Sequence, residues 1–132
     1  MTSTQFLNID LDLESEDDLT IIVDEFGDNV IVLSNEKNFG LHKLSFELAG
    51  EIGNSEYLLT QYFSLICSLS SKAREIWDRC LKREFDLGFE CGHGPIDIQE
   101  KISNSLIIEL SELNVSITVT VYSVPVVENQ II

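Results

Sequence analysis

Leu7, Ile9, Leu11 and Leu13 alternate with Asn8, Asp10, Asp12 and Glu14. A period of two predicts a strand with one buried face and one polar face. Ser15 followed by Asp18 resembles a capping box, with Asp in place of the preferred Glu or Gln. Glu16, Asp17 and Asp18 then fall in a first helical turn, where acids suit the positive helix end. Leu19, Ile22, Val23 and Phe26 predict a short amphipathic helix ended by Gly27. Val30 to Leu33 reads as a brief apolar strand, and SNEKNFG after it as a turn.

Leu44, Phe46 and Leu48, set against Lys43, Ser45 and Glu47, predict another strand. Residues 49–54 read as a loop, and Ser55 as the cap of a long helix carrying Leu58, Leu59, Tyr62, Phe63, Leu65, Ile66 and Leu69. Ser70 is a plausible new N-cap. The helix it opens places Ala73, Ile76, Trp77, Cys80 and Leu81 on one face. Its other face offers Arg74 with Asp78, Glu75 with Arg79 and Asp78 with Lys82 as i,i+4 pairs. Five of the eight basic residues fall between Lys72 and Arg83, and they read as a salt-laced outer face. Phe85, Leu87, Phe89 and Cys91 alternate with Glu84, Asp86, Gly88 and Glu90 as a strand, and GHGP is a turn. Ser103 caps a helix with Leu106, Ile107, Leu110 and Leu113 inward. Val115, Ile117, Val119 and Val121 alternate with Ser116, Thr118 and Thr120 in a last strand that Pro125 ends.

The predicted order is β-α-β-β-α-α-β-α-β. Alternation in every long strand implies a sheet with one covered and one open face, with Leu7, Ile9, Phe46, Leu87, Phe89, Ile117 and Val119 under the helices. Helices on one face of a mainly antiparallel sheet make an α+β fold. Residues 1–124 form one domain, and 125–132 a C-terminal tail. The open face would display Asn8, Asp10, Asp12, Lys43, Ser45, Glu47, Asp86, Glu90 and the Ser/Thr row of the last strand.

Charge changes this picture most. The chain of 132 residues holds 23 Asp and Glu against 8 Lys and Arg, a net charge of -15, with a pI near 4.2. Ten of the acids precede the first basic residue, Lys37. Their interleaving with apolar residues marks folded chain with a negative surface. Such a field opposes nucleic acid and anionic membrane and favours a basic partner. Hydrophobic residues make up 44%, enough for a core without disulfides or metals. Cys67, Cys80 and Cys91 lie in apolar patterns and read as buried thiols of a reducing compartment. The start has neither the basic region nor the apolar run of a secretory signal, and no stretch approaches a membrane span. The expected location is the cytoplasm.

The segments REFDLGFECGHGP and ISNSLIIELSELNVSITVTVY, with the strand around FELAG and the long helical stretch, resemble a bacterial family catalogued as domain of unknown function 4279. The resemblance covers roughly residues 40 to 123; the N-terminal strand and helix are similar in layout only. It implies the same fold and a small stand-alone cytosolic bacterial protein. The shared features are structural signatures, so no functional residue is carried over.

Candidate chemistry is thin. Cys91-Gly-His93 places a thiol near an imidazole, but a zinc site wants about four ligands and the other His is His42. A Cys–His nucleophile pair needs a geometry that spacing alone does not supply. The simplest reading makes His93 a loop residue and Cys91 a core thiol. Asp10 and Asp12 lie about 6.6 Å apart along a strand, too wide to share a small metal without a third ligand. Alternate leucines replace the residues a calcium loop requires. Trp77, Tyr57 and Tyr62 read as core. The expectation is therefore a non-enzymatic protein without cofactor or metal. Its leading function is that of an acidic inhibitor of a basic partner, concretely an immunity protein against a cationic toxin such as a nuclease. The partner-binding candidates are Asp10, Asp12, Asp17, Asp18, Glu47, Asp86 and Glu90. The alternative is a cytosolic domain that binds a small ligand or assembles as a homo-oligomer through its sheet.

Overall fold

The computed structural model describes residues 3–94 and 97–123. The expected tail at 125–132 and Pro95 of the GHGP turn lie outside the described residues. Five strands form one sheet: β1 (Gln5–Ser15), β2 (Val30–Asn38), β3 (Leu41–Leu48), β4 (Lys82–Glu90) and β5 (Ser116–Tyr122). Four helices, α1 (Thr20–Phe26), α2 (Ser55–Cys67), α3 (Ser71–Asp78) and α4 (Asn104–Glu112), accompany them. The spatial order is β2-β3-β1-β4-β5. All neighbours are antiparallel except β4 and β5, which the α4 crossover joins. The expected α+β class and element order are met.

One face of the sheet carries the core. Ile9, Leu11 and Leu13 of β1, Leu44 and Phe46 of β3, and Phe85 and Leu87 of β4 are buried against Ile22, Phe26, Leu59, Tyr62, Ile66 and Trp77 of the helices. The rings of Phe26 and Phe46 meet edge to face at 5.3 Å, and Tyr62 lies 5.0 Å from Phe85. Two buried polar atoms are satisfied by main chain. Tyr62 Oη donates to Ile9 O at 2.9 Å, and Trp77 Nε1 donates to Leu113 O at 3.1 Å.

Several local expectations are corrected. Leu7 is 43% exposed. A bulge between Phe6 and Asn8 makes Leu7 an extra residue and changes the parity of the strand, so Phe6 packs on Phe89 instead, at 5.4 Å. Ser15 is the last residue of β1, and its hydroxyl accepts from Asp17 N. The three acids therefore precede α1, whose first turn contains none. β2 runs on through SNEKN, and the turn shrinks to Phe39-Gly40, both at positive φ (52° and 81°). A two-residue hairpin of this hand requires that conformation. Asn54, not Ser55, caps α2, accepting from Tyr57 N. Ser70 and Ser103 cap α3 and α4 as expected. Because α3 stops at Asp78, Lys82 and Arg83 belong to β4. Arg74 pairs with Asp78, whereas Arg79 pairs with Asp17 and Lys82 with Glu14 and Glu84. Leu81, Ile107 and Tyr57 are exposed rather than inward. Ile117 (40% exposed) and Val119 (59%) are also largely exposed, because the buried core joins the helices to β1, β3 and β4 and includes no residue of β5. Of the free thiols only Cys80 is buried; Cys67 and Cys91 are exposed.

Candidate interaction face

The second face of the sheet carries no helix among the described residues. Register places its polar side chains in rows across the strands. Asp10 lies directly between Glu47 of β3 and Asp86 of β4. The next row sets Asp12 between Ser45 and Glu84, and the third sets Glu14 between Lys43 and Lys82. Three carboxylates abreast are unfavourable by themselves, since like charges directly opposite destabilise a strand pair. Neighbouring donors offset part of the cost. Asn8 Nδ2 donates to Glu47 Oε2 at 3.0 Å and to Asp10 Oδ1 at 3.2 Å. Ser45 donates to Asp12, and Thr118 to Glu84. Thr120 Oγ1 donates to Asp86 Oδ1 at 2.7 Å.

The cations stand at one end only. Lys43 and Lys82 lie 3.4 and 4.0 Å from Glu14, and Lys82 lies 3.5 Å from Glu84. The Glu47–Asp10–Asp86 row is left with neutral donors. Its electrostatic consequence falls on Asp10, whose pKa is pushed up from 3.8 to about 6. Partial burial is the largest cause, followed by repulsion from Asp12, Glu47 and Asp86. That row thus holds concentrated negative charge with no cation adjacent among the described residues.

Of the seven acids picked out from the sequence, Asp10, Asp12, Glu47 and Asp86 come together on this face. Glu90 stands at the far end of β4, opposite Gln5 and Tyr122. Asp17 and Asp18 lie in the β1–α1 connection. Asp17 binds Arg79 Nε at 2.9 Å, and Asp18 accepts from Thr20 N at 2.8 Å and from its hydroxyl. Both make contacts within the fold and lie off this face. Glu84 was missed as a member, although its place in the same alternating strand as Asp86 was the available signal.

Other acids are used inside the fold. Glu25 of α1 accepts from Ser70 N at 2.7 Å, Glu56 of α2 from Ser103 N at 2.9 Å, and Glu100 from Ser55 N at 2.9 Å. The starts of α3, α4 and α2 each thereby receive a carboxylate from a distant part of the chain, where the helix dipole favours it. At the opposite pole, Arg83 Nη1 donates to the carbonyls of Trp77 (3.0 Å) and Cys80 (2.7 Å), and its Nε to Asn114 O (2.9 Å). Among the described residues no three His, Cys, Asp or Glu side chains are grouped so as to hold a metal ion. No helix of the described residues is long and apolar enough to cross a membrane. Comparison with protein-family models, curated proteins and solved structures finds no match.

Proposed function

We propose that the protein is a non-catalytic acidic binding protein whose open sheet face receives a basic protein partner, in the manner of an immunity protein that neutralises a cationic toxin such as a nuclease. One observation carries this reading: among the described residues the row Glu47–Asp10–Asp86 lies on the sheet face without helices and has no cation beside it, and Asp10, whose pKa is raised first by partial burial, is raised further by its neighbours Asp12, Glu47 and Asp86. A basic partner supplies the missing counter-charge and relieves that repulsion. A nuclease must be basic where it holds phosphate, and a negative face can steer onto that surface and cover it. A rigid sheet also presents the acids at fixed spacing, so little ordering is required on binding.

Affinity capture from a lysate of the source cell, followed by co-expression with the captured protein, tests the proposal. The expected partner is basic, is retained at low salt and released at high salt, and is toxic when expressed alone and harmless with this chain. Replacing Asp10 and Asp86 by Asn and Glu47 by Gln should abolish both capture and protection while leaving the fold intact. A captured partner with an acidic contact surface, or undiminished protection by the triple variant, would contradict the reading.

A further inference from the structure

The two edges of the sheet are built differently. β2 carries Glu36 and Lys37 and a bulge between Val32 and Ser34, devices that discourage another strand from adding. β5, Ser116-Ile-Thr-Val-Thr-Val-Tyr122, carries no charge, proline or bulge, and among the five strands it alone lacks a charged residue. In a molecule of net charge -15, it is the edge along which two copies approach with least repulsion. Ile117, Val119 and Val121 are 40, 59 and 60% exposed on the helix side. There Val119 and Val121 line a groove of about 310 Å³ with Phe89, Ile98, Ile102 and Glu100.

The hydrogen-bonding direction of this edge follows from one contact. Tyr122 O accepts from Cys91 N at 2.8 Å, on the β4 side. Main-chain groups alternate sides along a strand, so residues 116, 118, 120 and 122 turn toward β4. Ile117, Val119 and Val121 turn their N–H and C=O groups to the free edge. The sequence there reads nearly the same in both directions about Val119. A two-fold axis at Val119 sets Val119 opposite its own copy, Ile117 opposite Val121 and Thr118 opposite Thr120. Apolar side chains then meet apolar ones on the helix side, and threonines meet threonines on the other. All three outward-facing residues fall in hydrogen-bonded pairs. A two-fold contact requires such self-complementarity.

We propose that β5 is a homodimer edge, pairing antiparallel with β5 of a second copy in the register centred on Val119 to give a continuous ten-stranded sheet. The acidic faces of both copies remain open, because an axis perpendicular to the sheet keeps both helix layers on one side. Glu84 and Asp86 of β4, one strand in from the seam, accept hydrogen bonds from Thr118 and Thr120. A single seven-residue strand pair buries less than the roughly 800 Å² per partner of a standard interface, so the dimer should be of micromolar strength. It should tighten as salt screens the repulsion between two chains of equal charge.

The test uses the full chain. Sedimentation velocity from about 5 to about 500 µM, at about 0.05 and 0.5 M salt, should show a monomer–dimer equilibrium that shifts toward dimer at high salt. Val119→Lys should make the protein monomeric throughout with an unchanged circular dichroism spectrum. In a Cys67→Ser, Cys91→Ser background, Val119→Cys should cross-link on mild oxidation, since paired Cα atoms lie about 5.5 Å apart. Ile117→Cys alone should not, because its copies lie about 13 Å apart, beyond disulfide reach; mixed with Val121→Cys it should cross-link. A monomer at the highest concentration in high salt, a dimer untouched by Val119→Lys, or cross-linking of Ile117→Cys alone would overturn the proposal. The first of these would include the case in which another segment of the same chain covers β5. The opposite salt dependence separates this outcome from failure of the basic-partner reading, whose complex weakens as salt rises.

Discussion

At the scale of single residues, Asp10 is where the proposed function and stability oppose each other. Its carboxyl is raised from 3.8 to about 6 in the fold. The folded protein therefore holds this proton more tightly than the unfolded chain. The sign follows directly: Asp10 is neutral and harmless below 3.8, and it weakens the fold progressively as the pH rises to about 6. Asp10→Asn should raise stability at neutral pH by about 1 kcal/mol after discounting for solvent screening of a half-open group. It should remove part of the pH dependence between those two values, as urea denaturation at pH 4 and pH 7 (roughly the two limits) will show. A stabilised variant that binds its partner poorly is the expected pattern for a site residue. Tyr62 and Ser55 separate a satisfied from an unsatisfied buried hydroxyl. Tyr62→Phe removes a buried donor to Ile9 O and Phe46 O and should cost about 1–2 kcal/mol. Ser55 Oγ is buried with no hydrogen-bond partner in the structure, so Ser55→Ala should be neutral or stabilise by up to about 1 kcal/mol in the same assay. Asp10 was legible in the sequence as a face residue, because period-two alternation specifies which side it takes. Its raised pKa was not, because burial is the largest cause and, beyond Asp12 on the same strand, the repulsion comes from Glu47 and Asp86, which only the strand order brings alongside.

At the scale of elements, apolar periodicity was enough to read the order of the strands and α-helices, while two of the four helix starts and the extent of β2 were misread for identifiable reasons. The β1 bulge reversed the parity of the strand's first residues, which no periodicity reports in advance. Phe6→Ser should therefore cost about 2 kcal/mol or more, whereas Leu7→Ser should fall within about 0.5 kcal/mol of the parent; the reverse ranking in denaturant melts would contradict the bulge. The β2–β3 hairpin was hidden because Phe39 sits at positive φ, a position where sequence normally signals with Asn, Asp or Gly. Phe39 is fully exposed, so Phe39→Asn should stabilise the fold by about 0.5–1 kcal/mol. The acidic residues that join helices were equally invisible. Glu25 reaches Ser70 and Glu56 reaches Ser103 across gaps of 45 and 47 residues. These serine donations hold both carboxyls below their ordinary 4.5. Their contribution is fully present above 4.5 and is lost as the pH falls through the lowered values, opposite in sign to that of Asp10. Part of the acidity that first suggests a partner is thus used inside the fold, and Asp17 and Asp18 also make such contacts.

At the scale of the whole molecule, a net charge of -15 must act on folding and on association together. Self-repulsion should make thermal stability rise with added salt up to several hundred millimolar, since the screening length contracts from about 30 Å at 0.01 M to about 8 Å at physiological strength. The open sheet face concentrates that field, while the acids of the helices spread it over the opposite side. Total charge and its placement can therefore be separated. One variant neutralises the face through Asp10→Asn, Asp12→Asn, Glu47→Gln and Asp86→Asn. A second neutralises the same number of exposed acids on the helical side through Asp24→Asn, Asp28→Asn, Glu75→Gln and Glu112→Gln. Both have the same net charge, so any difference between them reports position. The measurement that tests the central claim most directly is the stopped-flow association rate of each variant with the basic partner at low salt. The face variant should associate at least about tenfold more slowly than the parent, and the helical variant within about threefold of it. Equal slowing of the two variants, or none in either, would contradict the assignment of the open sheet face as the binding surface.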